Sequence, residues 1–128
     1  MRSRSATLTA QELEIMKVVW DRDAVTVRDV YETLLERRKV EKRKVAYTTV
    51  MTMMTILEGK KYLKKTTAQR AFVYRPAKPR KTVIGAMVSE FIDRVFNGSA
   101  EPLLVHLVEE HGLSREDLDE IQKLRGKS

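Results

Sequence analysis

The feature that most restricts how this chain can fold is a helix-period segment that reaches a glycine and passes at once into two short, basic, alternating stretches. Between Ala46 and Glu58, stepping about 100° per residue gathers Ala46, Val50, Met53 and Leu57 on one side. Thr48, Thr52 and Thr55 fall opposite, with Met51 at the border. Gly59 supplies the stop, Lys60 and Lys61 follow, and Tyr62 to Lys65 and Ala71 to Arg75 read as strands around a polar loop, Thr66 to Arg70. Because a two-stranded hairpin is not stable alone, Leu63, Phe72 and Tyr74 are expected to pin it to neighbouring helices.

Two capped helices precede this unit. Thr9 to Glu12 has the spacing of a capping box, Leu8 and Leu13 that of a hydrophobic staple, and Leu13, Met16, Val19 and Trp20 recur at helical period up to a polar turn at Asp21 to Asp23. Thr26 to Asp29 resembles a second cap, leading into Val27, Val30, Tyr31, Leu34 and Leu35 before a charged connection from Glu36 to Lys44. Three helices followed by a hairpin is the order of a winged helix-turn-helix, in which the third helix enters the major groove and the hairpin follows the backbone. Charge agrees with that reading. The whole chain carries +7 with a pI near 9.8, the balance expected for a polyanionic partner such as nucleic acid or an acidic membrane surface. Residues 1–78 hold 18 basic against 9 acidic side chains and residues 79–128 hold 7 against 9, so the positive charge belongs to the first part.

Candidate contacts to duplex DNA follow. Lys42, Arg43 and Lys44 directly precede the third helix and are expected near phosphate, as is one of Lys64 and Lys65, whose side chains alternate on a strand. Thr48, Thr52 and Thr55 are poor choices for a helix surface on propensity; they either meet a ligand or bond back to their own helix. Tyr47 either reaches a phosphate or packs under the turn after the second helix.

Pro76 and Pro79 mark a boundary where the charge balance also changes sign, dividing the chain into residues 1–78 and 79–128. Beyond it, Met87, Phe91 and Val95 lie in a stripe covering more than half of a fourth helix, ended by Asn97 and Gly98. Leu104 and Leu107 lie in a fifth helix, and Leu118 and Ile121 in a sixth capped at Ser114 to Asp117. About fifty residues cannot bury such stripes among themselves, so a second copy of the chain is the expected partner. The fold class is thus mainly α with a small β-hairpin: an N-terminal winged helix-turn-helix and a C-terminal helical dimerisation region. Cysteine is absent, which removes disulfides and thiolate metal sites. The i, i+5 spacing of His106 and His111 does not suit a shared metal, and no cofactor motif, catalytic constellation or membrane span is visible, so a cytoplasmic protein that is not an enzyme is expected.

With these residues placed, the sequence resembles the penicillinase-repressor family from about Leu8 to Leu124. The likeness rests on Leu8 to Met16 leading to Val19 and Trp20, on Ala46 to Met53, and on the hairpin end Phe72 to Ala77. The resemblance implies a dimeric bacterial transcriptional repressor binding palindromic operator DNA, with target genes in antibiotic resistance or stress. Its groove-facing positions fall on Thr48, Thr49, Met51 and Thr52, with Arg70 near the backbone. The family commonly has a basic residue where this chain has Ile56, and some members have Arg where it has Met51. Resistance-gene members are inactivated by a signalling protease in the dimerisation region. The matching bond here is His106-Leu107, in place of the usual Asn-Phe. The cysteine cluster of copper-responsive members is absent. Two other classes stay open: a winged-helix protein-interaction module, and a protein that coats DNA without sequence preference.

Overall fold

The computed structural model describes residues 8–38, 45–68 and 70–126. Six helices and one hairpin follow in the order α1 (Ala10–Arg22), α2 (Val27–Arg38), α3 (Tyr47–Gly59), β1 (Leu63–Ala68), β2 (Ala71–Pro76), α4 (Arg80–Phe96), α5 (Glu101–Glu110) and α6 (Arg115–Gly126). The chain divides into two compact units, one up to Val83 and one from Ile84 onward, so the division falls inside α4.

The first unit is a winged helix-turn-helix. Its α1 begins with a complete capping box, in which Glu12 N donates to Thr9 Oγ1 at 3.1 Å and Thr9 N donates to Glu12 Oε1 at 2.9 Å. The same reciprocal pattern opens α2 between Thr26 and Asp29 at 2.9 and 3.1 Å. Since α1 packs against α2, α3 and β2, it buries more than one stripe: Ile15 and Val18 join Met16 and Val19 in the core, while Leu13 and Trp20 are half-buried. Glu36 and Arg37, expected in a connection, continue α2. Arg37 reaches Asp21 at 3.5 Å and Arg22 donates to Thr33 Oγ1 at 3.4 Å, which holds the end of α2 against α1.

In α3 the buried stripe is Val50, Met54 and Leu57, each fully enclosed, rather than one running through Met53, which is half-buried. Gly59 is the last residue of this helix, as expected, but the left-handed residue that closes it comes two positions later. Lys61 adopts the left-handed conformation at φ 73°, its N–H meets Glu58 O at 3.0 Å and Tyr62 N–H meets Leu57 O at 2.9 Å, a Schellman closure. The turn redirects the chain so that Tyr62 and Leu63 enter the core beside α3.

The strands are antiparallel and longer than expected, pairing Leu63 with Pro76 through to Ala68 with Ala71. Thr66 and Thr67 are therefore strand residues opposite Val73 and Phe72, as β-branching favours. Val25 adds an isolated bridge on the outer side of β2: Val25 N to Tyr74 O is 3.0 Å and Tyr74 N to Val25 O is 2.7 Å. Tyr74 and Leu63 are buried at 3% and 2% exposure and pin the hairpin as expected, but Phe72 is 56% exposed and does not. It shares Tyr74's side of the strand yet stands two residues further out, about 7 Å beyond it, past the helices. Trp20 Nε1 donates to Lys78 O at 3.0 Å and Lys78 Nζ lies 4.4 Å from the Tyr62 ring centre, fixing the path into α4, whose Val83 is the last buried residue.

The second unit has no buried side chain among its described residues. Asn97 (φ 52°) and Gly98 (φ 87°) end α4, and Ser114 caps α6 by accepting from Asp117 N at 3.1 Å while its own N–H donates to Asp117 Oδ2 at 2.9 Å.

Candidate nucleic-acid interface

Burying Val50, Met54 and Leu57 turns the other side of α3 outward, and Tyr47, Thr48, Thr49, Met51, Thr52, Thr55 and Ile56 are all exposed. Only one of the four threonines has its hydroxyl committed to a described residue: Thr55 Oγ1 donates to Met51 O at 3.0 Å. Back-bonding therefore describes Thr55, and the hydroxyls of Thr48, Thr49 and Thr52 are open to a ligand. Tyr47 packs edge-on against Tyr31 of α2, with ring centres 5.4 Å apart, so the packing half of its two readings is the observed contact.

A cleft of about 460 Å³ runs between the start of α2, the outer face of α3 and the hairpin. Tyr47, Met51 and Thr55 form one wall, and Lys65 and Phe72 the other, with Arg28 at the α2 end. Lys65 Nζ lies 4.5 Å from the Phe72 ring centre and 3.8 Å from Glu58 Oε1, which holds that cation on the α3 side of the hairpin. The alternation of the strand turns its neighbour Lys64 the other way, also exposed. Arg70 is exposed at the hairpin's outer end with φ 69°. Lys42, Arg43 and Lys44 lie outside the described residues.

Arg28 was not among the sequence candidates. Its guanidinium lies 5.8 Å from the Tyr47 ring centre and 3.7 Å from Glu32, placing a cation beside the first turn of α3. Only its place in the first turn of α2 signalled it.

In the second unit, Phe91, Val95, Leu104 and Ile121 are exposed at 39%, 49%, 42% and 52%, and Met87, Leu107 and Leu118 are half-buried. Leu104, Val105, Val108 and Leu118 line a shallow apolar hollow of about 300 Å³ between α5 and α6. The His106 and His111 rings come within 5.4 Å, closer than their spacing suggests, because His111 has left the helix at φ −122°. No group of three metal-ligating side chains occurs among the described residues, and none of their helices is long and apolar enough to cross a membrane.

The family model described as penicillinase repressor matches residues 8–126. The chain belongs to the penicillinase repressor family. Among its relatives is the penicillinase repressor of Bacillus licheniformis, 26% identical over 113 residues that cover 88% of this chain and 84% of that protein. The transcriptional regulator BlaI of Mycobacterium tuberculosis is 36% identical over 108 residues, covering 83% of this chain and 75% of that one. The solved DNA-binding domain of the repressor BlaI superposes with a TM-score of 0.50 at 25% identity, covering 62% of this chain and 90% of that domain. The family assignment thus spans both units, whereas this structural likeness covers less of the chain.

Proposed function

We propose that this member of the penicillinase repressor family is a homodimeric transcriptional repressor that binds a palindromic operator in duplex DNA. One observation supports the reading: α3 presents an outward face of open hydroxyls beside Lys65 and Arg28, on the element a winged helix uses for the major groove. Thr48, Thr49, Met51 and Thr52 meet base edges, Thr55 adds its methyl group, and Lys65 and Arg70 meet phosphate along the hairpin. Lys42, Arg43 and Lys44 belong to the same basic margin by sequence. The relatives named repressor and regulator support this role for the chain.

The apolar faces of Met87, Phe91, Val95, Leu104, Leu107, Leu118 and Ile121 are covered by a second copy, which lets one reading helix per chain address two half-sites. Residues 1–78 then form the DNA-binding part and residues 79–128 the dimerisation part. Release follows cleavage at His106-Leu107 by a signalling protease; cutting α5 there divides the apolar face and unlinks the half-sites.

Selection of bound fragments from random duplexes, followed by titration of the enriched site, tests the reading. An enriched inverted repeat bound more tightly than scrambled DNA is expected. Failure to enrich any sequence overturns it: salt-dependent binding without preference indicates a DNA-coating protein, and no binding at all indicates a protein-interaction module. Mass spectrometry of the chain recovered from derepressed cells tests the cleavage, which an intact chain refutes.

A further inference from the structure

The outward arc of α3 spans about 200° of its circumference and carries Tyr47, Met51, Thr55, Thr48, Thr52, Ile56 and Thr49. None of these is Arg, Lys, Asn or Gln, the side chains that pair bidentately with guanine or adenine in the major groove. The only charged residue toward this arc is Glu58 in the last turn, and Lys65 sits 3.8 Å from its carboxylate. The arc instead offers methyl groups. Met51 is 43% exposed although it is a large apolar residue, and Thr48 and Thr55 flank it at i−3 and i+4. With the Thr55 hydroxyl turned back onto Met51 O, that threonine presents chiefly its γ-methyl.

The one apolar mark on a base edge in the major groove is the C5-methyl of thymine. Resting on the operator-binding reading above, we propose that Met51 is a specificity-determining residue of this chain, which places its thioether against a thymine methyl and so fixes a T·A pair at one position of each half-site. Met51 lies in the second turn of α3, on the wall of the cleft facing Phe72 and Lys65, so it reaches a base near the strand whose phosphates the hairpin follows. A flexible, polarizable thioether suits contact with a methyl group whose exact position shifts with local DNA shape.

The test uses the full chain and the enriched operator with thymine replaced by uracil one position at a time, which deletes the methyl and leaves every hydrogen-bonding atom in place. Affinity should fall about fourfold at one symmetric position, the effect of one buried methyl-sized group. In Met51→Ala that sensitivity should vanish, in Met51→Leu it should persist, and affinity for scrambled DNA should be unchanged in both. Met51 is exposed, so unchanged melting temperatures for both variants will show that folding is not the cause. Uracil tolerated at every position, or a methyl effect of the same size in Met51→Ala, overturns the proposal while leaving operator binding intact. If no operator is enriched at all, both readings fall together.

Discussion

Glu12 is the only buried polar or charged side chain among the described residues, at 4% exposure, and it joins two elements that matter for the interface. Its carboxylate accepts from Thr9 N at 2.9 Å and from Lys60 Nζ at 3.0 and 3.1 Å, so one side chain ties the start of α1 to the residue that caps α3. Glu12→Ala removes the capping arm, worth about 1 kcal/mol, and a charge-assisted contact worth about 1–2 kcal/mol. Lys60 retains 21% side-chain exposure, so part of its charge is still hydrated and the upper limit for a fully buried pair does not apply. The expected loss is about 2–3 kcal/mol, on the order of 10 °C in melting temperature for a unit of this size. Glu12→Gln keeps a capping side chain but loses the charge and should cost about 1 kcal/mol. Trp20 is the single tryptophan and sits in α1, so urea unfolding followed by its fluorescence reports the first unit specifically. A double-mutant cycle with Lys60→Met should return a coupling of about 1 kcal/mol. A loss below about 0.5 kcal/mol for Glu12→Ala, within the range of ordinary surface substitutions, or no coupling in the cycle, would refute the account of this pair.

Four further outcomes are expected. If about six phosphates are neutralised, affinity for operator should fall roughly a thousandfold between 50 and 200 mM salt, whereas a flat response excludes phosphate-led binding. Lys65→Ala should weaken binding to specific and scrambled duplexes alike, and Thr52→Ala should narrow the gap between them, which parallel titrations separate. Phe91→Glu places a carboxylate in the apolar face of α4 and should yield both a smaller species in sedimentation and weaker operator binding; a wild-type chain that sediments as a monomer at micromolar concentration refutes the dimer. Asp117 has its pKa lowered, first by the Ser114 backbone N–H and then by the Ser114 side chain. Its folded value lies below its unfolded one, so its support for the α6 cap is present above the ordinary carboxylate range and is lost as pH falls through the folded value. Far-UV circular dichroism across the acid range should show less helix on acidification, and Ser114→Ala should reduce that dependence.

Several helix boundaries in both units were legible because they are written in local chemistry. Thr9 with Glu12, Thr26 with Asp29 and Ser114 with Asp117 each bind backbone three residues away, so spacing alone located three helix starts. Features that depend on tertiary placement were not legible. The left-handed stop of α3 sits at Lys61 rather than at Gly59, because closure by Tyr62 onto Leu57 O outweighs the preference for glycine. Met54 and Met53 are adjacent and chemically identical; which one is enclosed depends on the rotation of α3 against α1 and α2. The Val25 bridge to Tyr74 joins residues 49 apart through backbone atoms alone, which no side-chain pattern records. At the interface, the exposed threonine arc was readable from period, whereas the commitment of the Thr55 hydroxyl and the approach of Arg28 to Tyr47 required coordinates.

The composition of α3 separates two quantities that DNA-binding proteins often combine in the same residues. An arginine on a recognition helix contributes both attraction to the duplex and discrimination among bases, so replacing it changes both. Here the outward arc of α3 has no cation, and the cations that line the cleft beside it, Arg28 and Lys65, stand on α2 and β1, with Arg70 at the hairpin's outer end. Under the proposed operator-binding reading, attraction comes from the margin and scales with phosphate neutralisation, while discrimination comes from hydroxyls and methyl groups that carry no net charge. Substitutions on the arc should leave the salt slope unchanged and alter the ratio of specific to non-specific binding. Substitutions at the margin should lower the slope by about one unit for each phosphate no longer neutralised and leave that ratio nearly constant. Because each base pair read discriminates by only about 1–3 kcal/mol, whatever group reads it, a single reading helix yields modest selectivity. In the proposed homodimer, two half-sites engaged together would roughly double that free energy, which would make the apolar faces of α4, α5 and α6 as much a determinant of specificity as the residues proposed to touch the bases.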